Sequence, residues 1–138
     1  MKKIKVIITV DKNNGLFFNH RRQSRDRFLI DDMCRKTEGK IYISEHSALL
    51  FDGYSDKIIV TCDPLNDCPD GGYAFIEVTQ ISPYLDQIDE IIVYNWNMQY
   101  PSDMRLDTDI KSIGFKMTAK YDFKGNSHDK ITKGIYKK

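Results

Sequence analysis

Ile4-Lys5-Val6-Ile7-Ile8-Thr9-Val10, followed at once by Asp11-Lys12-Asn13-Asn14-Gly15, is the stretch whose reading decides the fold. Six of its first seven residues are β-branched, so the run reads as a buried strand. Asn13-Asn14-Gly15 tolerate positive φ and end it in a turn. Working outward, further short apolar runs read as strands at residues 40–43, 57–61, 74–78 and 91–96. A last pair, 114–121 and 131–137, is joined by the polar segment 123–130. Between them lie helical signals. Ser24 is an N-cap for a helix that Gly39 stops, Ser44 caps a short helix through Phe51, and 82–88 holds two turns at most. Strands and short helices alternate first and strands alone close the chain. That order predicts one α/β domain over residues 1–138, a mixed sheet that is parallel early and antiparallel late.

Composition narrows the possibilities. A chain of 138 residues buries one core. Its net charge of +1 argues against a generally basic nucleic-acid coat, so any anion binding is local. The opening apolar run is too short for a secretory signal or a membrane span, which makes cytoplasmic the expected location and a membrane partner unexpected. Cys34, Cys62 and Cys68 are odd in number and lack a Cys-x-x-Cys pair, as expected of free thiols. Cys62 and Cys68, flanked by Asp63, Asp67 and Asp70, admit a metal loop, but the Pro/Asp/Gly content of 63–72 reads more plainly as a turn, and no metal is expected.

Four of the six arginines, Arg21, Arg22, Arg25 and Arg27, fall within seven residues, beside His20, Gln23 and Ser24. The run sits where a loop becomes a helix, and a helix start presents unpaired N–H groups to anions. Guanidinium forks suit phosphate, so a phosphate-bearing small molecule, a nucleotide or RNA is the expected ligand. The rival reading is an ion-pair network joining Arg25 or Arg27 to Asp11, Asp26 or Asp31. Leu29, Ile30 and Met33 mark the buried face of the helix, and Asp26 shares it, an acid at the lip of a core. His20 and His128 are candidate base and acid for metal-independent RNA cleavage, with Lys130, Arg21 or Arg22 stabilising the charged phosphorane if the C-terminal hairpin returns beside the helix start. Solvated loop histidines are the duller alternative, and His46 is expected to cap or pack against its short helix. Tyr94 and Trp96 share one strand face and, with Tyr100, could stack bases or simply pack in the core or at a homodimer surface. Ser24 and Ser47 have no His–Asp signature near them in sequence, so no serine nucleophile is indicated.

The ordered motifs resemble those of dihydrofolate reductases. Val10 to Gly15 is similar to that family's first strand and substrate loop, and Asp26 resembles its pterin-binding carboxylate. Ile41-Tyr42-Ile43-Ser44-Glu45-His46-Ser47 resembles its second strand and nucleotide-contacting helix start. Ile88-Asp89-Glu90-Ile91-Ile92-Val93-Tyr94, with Pro101-Ser102-Asp103 downstream, is similar to its late strand and following loop. The resemblance implies a shortened reductase-like fold. It also implies a lost cofactor site: Gly71-Gly72 precedes a strand rather than a helix, and Ser44-Glu45 sets a carboxylate where the family offers a cation to phosphate. No cofactor is therefore expected, and NADPH-dependent reduction is an alternative only. The stretches Asn14 to Ser24, Tyr94 to Asp103 and Ser127 to Thr132 are similar to a group of short Firmicutes-type proteins often labelled ribonuclease Z. That label implies a His-x-His-x-Asp-His metal motif, which the three histidines His20, His46 and His128 do not form. A non-enzymatic interaction module is the remaining alternative.

Overall fold

The computed structural model describes residues 2–18, 21–22, 24–77, 80–102, 104–106 and 110–138, with the backbone alone at 17, 18, 21 and 111. In chain order the elements are β1 (Ile4–Val10), β2 (Gly15–Phe18), β3 (Arg21–Arg22), α1 (Arg27–Lys36), β4 (Ile41–Ile43) and β5 (Ile58–Val60). Then come α2 (Pro64–Asp67), β6 (Tyr73–Ile76), β7 (Ile88–Asn95), β8 (Met104–Arg105), β9 (Lys116–Phe123) and β10 (Ile131–Lys137), with 3-10 turns at Glu45–Phe51, Ser55–Lys57, Ser82–Gln87 and Ile110–Ile113. A seven-stranded sheet runs β5-β4-β6-β1-β7-β10-β9, and a small sheet runs β3-β2-β8. Pairings among β5, β4, β6, β1 and β7 are parallel, while β7–β10 and β10–β9 are antiparallel. This is the parallel-then-antiparallel order expected from the run of elements.

β1 is central and covered on both faces, which explains why five of its seven residues are apolar. Ile4, Val6, Ile8 and Val10 join one core with Leu65, Cys68, Ala74, Ile88, Ile91 and Phe115. Ile7 points the other way, into a core with Leu29, Ile30 and Met33 of α1, and with Phe51, Phe75, Tyr94 and Trp96. Each fully buried aliphatic side chain contributes roughly 2 kcal/mol, and the second core holds α1 against the sheet, of which β10 and β9 are the last two strands.

Several local expectations are corrected. The cap of α1 is Asp26, not Ser24: its backbone is extended (φ −153°) and its side chain accepts from Phe28 N. Asp caps as well as Ser, and starting at Arg27 leaves the Ser24 hydroxyl for another partner. Gly39, at φ 80°, lies beyond the C-cap Thr37. Ser44 stands at the cap position of its 3-10 helix but makes no side-chain capping bond. Within the expected 63–72 turn, Asp63 caps one helical turn, α2, which buries Leu65. The hairpin's first strand begins at Lys116 because Gly114 turns the chain at φ 96°. β2, β3 and β8 were not expected, being too short to show a periodicity. Among the described residues no helix is long and apolar enough to cross a membrane.

Candidate functional site

The site is built where the start of α1 meets the β9–β10 connection. Asp26 Oδ1 accepts from Phe28 N at 2.9 Å and from Asn126 N at 2.8 Å. Its Oδ2 accepts from Ser127 N at 2.9 Å and pairs with His128 Nδ1 at 2.8 Å. Burial alone would raise the pKa of this acid, but the N–H groups of Asn126 and Ser127, His128 and the Phe28 N–H outweigh it and bring it down to about 2. Gly125 permits the approach, since a Cβ there would run into Asp26 Oδ2 and stand 2.9 Å from Ile131 Cδ1.

His128 is buried and held on every side. Its ring stacks on Trp96, with centroids 4.6 Å apart and planes at 26°. Nε2 lies 2.9 Å from Ser24 Oγ and 3.0 Å from Tyr100 OH. In the neutral ring, a proton on Nδ1 given to Asp26 leaves Nε2 an acceptor, to which the Ser24 or the Tyr100 hydroxyl can donate. Ser24, His128 and Asp26 thus form one hydrogen-bonded chain. Sequence reading singled out all three but did not link them, because Ser24 and His128 are 104 positions apart.

Beside this chain a cleft of about 820 Å³ opens between α1 and the Glu45–Phe51 turn, lined by Arg25, Arg27, Ile30, Leu50, Tyr54 and Ser127 among others. Arg25 and Arg27 are exposed on it. Neither joins an ion pair among the described residues, in contrast to the network reading; Asp31 pairs with Arg35 instead, at 2.9 Å. Arg22 is committed elsewhere. Its Nε and Nη2 grip the buried Glu77 at 2.8 and 3.1 Å, Nη2 also donates to His46 O, and Ser47 Oγ donates to the same carboxylate at 2.7 Å. Tyr94 faces the core, its hydroxyl donating to Asp32 Oδ2 at 2.7 Å beside Lys133 Nζ at 3.1 Å. Burial first, then the Asp32 charge, pushes that phenol far above its ordinary range. Trp96 is the floor under His128 rather than an open stacking platform. Lys130 is exposed, 3.9 Å from Asp122. His20, Gln23 and the side chain of Arg21 lie outside the described residues. Among the described residues no cluster of three or more His, Cys, Asp or Glu is placed to hold a metal ion.

No family model matches the chain, and no curated protein matches it. Among solved structures, a dihydrofolate reductase from Enterococcus faecalis complexed with NADP(H) and RAB-propyl is similar over 98% of this chain and 95% of its own, with a TM-score of 0.65 and 10% identity. The ribonuclease Z label finds no support in these comparisons. At that identity the likeness is one of architecture, and the fold is dihydrofolate reductase-like.

Proposed function

We propose that the protein binds a phosphate-bearing ligand of nucleotide type in the cleft beside the start of α1. The observation that carries this reading is the pair Arg25 and Arg27, two exposed guanidinium groups without acid partners among the described residues, on the rim of an 820 Å³ cleft. Guanidinium forks match phosphate oxygens, and Ile30, Leu50 and Tyr54 offer an apolar wall to a planar base. A pterin reductase role is disfavoured because both oxygens of Asp26 are taken by the protein's own N–H groups. RNA cleavage by His20 and His128 is disfavoured because Nε2 of His128 is taken by Ser24 Oγ and Tyr100 OH rather than open to a ribose hydroxyl.

Calorimetric titration with inorganic phosphate, a nucleoside monophosphate and a short single-stranded RNA at low salt tests the reading. Binding should weaken as salt rises and fall about tenfold or more for each arginine removed in Arg25→Ala and Arg27→Ala. Unchanged affinity in the double variant, or no binding by any of the three, would overturn it.

A further inference from the structure

The Ser24 hydroxyl, the His128 ring and the Asp26 carboxylate make contacts of 2.9 and 2.8 Å in series, the relation of nucleophile, base and orienting acid. We propose that these residues form a hydrolytic triad acting on carboxylic esters admitted through the cleft. Several features exceed what a satisfied core histidine needs. Asp26 is fixed by backbone N–H groups from two separate segments, so it holds the Nδ1 proton in one orientation. Trp96 fixes the plane of the ring, leaving Nε2 aimed at Ser24. Ser24 is half-buried and lines a small cavity of about 10 Å³, near the room one water requires. That cavity shares Arg25, Asp26, Ile30 and Leu50 with the cleft, so Ser24 sits against the wall of the larger opening.

The chemistry balances without a metal or co-reactant. Ser24 Oγ attacks the carbonyl carbon while its proton passes to His128 Nε2, and the C=O electron pair moves onto oxygen. Arg25, which lines both cavities, is the cation available to that oxyanion. Collapse re-forms the carbonyl and breaks the bond to the alkoxy group, which leaves as an alcohol with the Nε2 proton. Water then gives a proton to Nε2 and attacks the acyl carbon; the acid departs and Ser24 Oγ recovers its proton. Tyr100 OH, the second neighbour of Nε2, can accept from the imidazolium between these steps.

The proposal uses the same cleft as the phosphate reading but asks Arg25 to meet only a transient oxyanion, not to hold an anionic ligand, so neutral probes separate the two. The full chain is treated with a fluorophosphonate and, separately, with p-nitrophenyl acetate. One label per chain is expected, located on Ser24 by peptide mass spectrometry and absent from Ser24→Ala, with hydrolysis reduced at least tenfold in that variant. Melting curves of Ser24→Ala establish that it folds. As a second variant, Ser24→Cys should react with iodoacetamide faster than the exposed Cys62 of the same chain, and His128→Gln should remove that advantage. Labelling elsewhere, no labelling of the folded protein, or a Ser24→Cys thiol no faster than Cys62 would overturn the triad. Phosphate binding persisting without esterase activity sinks this proposal alone; esterase activity without phosphate binding sinks only the other.

Discussion

Asp26 ties the start of α1 to the β9–β10 connection. Its pKa of about 2 in the folded chain lies below the ordinary 3.8, so the folded state binds fewer protons across that interval. The stabilisation is therefore complete above pH 3.8 and is lost as pH falls through 2. The interval corresponds to about 2 kcal/mol. Asp26→Asn should lose about that much stability at pH 7, measured by urea unfolding with the single tryptophan, Trp96, as reporter. The gap between the two proteins should shrink as pH approaches 2, and an equal gap at both pH values would contradict the account. Asp26→Ala should cost more, roughly 3–5 kcal/mol, because it strands the buried partners of the carboxylate.

At the scale of elements, the junction between α1 and the β9–β10 hairpin depends on how closely they approach. Gly125 is buried against Asp26 and Ile131, and an added methyl group has no free space there. Gly125→Ala should push the hairpin connection from the helix start at a cost of roughly 1–3 kcal/mol. Thermal denaturation measures that loss, and the His128 ring resonances should move because the connection carries His128. A contrasting case is Gly39, where nothing lies within 4 Å but φ is +80°. Gly39→Ala should cost roughly 1 kcal/mol through backbone strain alone and leave the His128 resonances in place. Equal disturbance of His128 by both variants would mean that the close approach at Gly125 is not what positions it.

For the molecule as a whole, the seven-stranded sheet ends in two edges, β5 and β9. β9 is exposed along most of its length, with Met117 and Tyr121 open to solvent beside Lys116 and Lys120 respectively. Edge lysines oppose pairing with a second copy, because two such edges would bring like charges together. A monomer is therefore expected at physiological salt by sedimentation velocity. Lys116→Thr and Lys120→Thr together should promote association as protein concentration rises. A dimer of the unaltered chain that persists at low salt would show that the lysines do not protect the edge.

Sequence alone determined the sheet and its two halves. Ile4–Val10 is mostly apolar because both faces of β1 are covered, and Leu29, Ile30 and Met33 marked the face of α1 that meets the second core. Such signals are local and periodic, so they survive in one dimension. The reading also placed Asp26 at the lip of that core, but not its partners. Those arrive from a connection about a hundred residues away, brought back by the β10–β7 pairing. Only tertiary structure decided that Arg25 and Arg27 have no acid partner among the described residues, since Glu77 claims Arg22 while Asp31, Asp26 and Asp11 are engaged otherwise. It alone turned Ser24 from an expected helix cap into a partner of His128. The physical reason is the same in each case: a buried polar group must find a partner, and long-range strand pairing determines which partner is within reach.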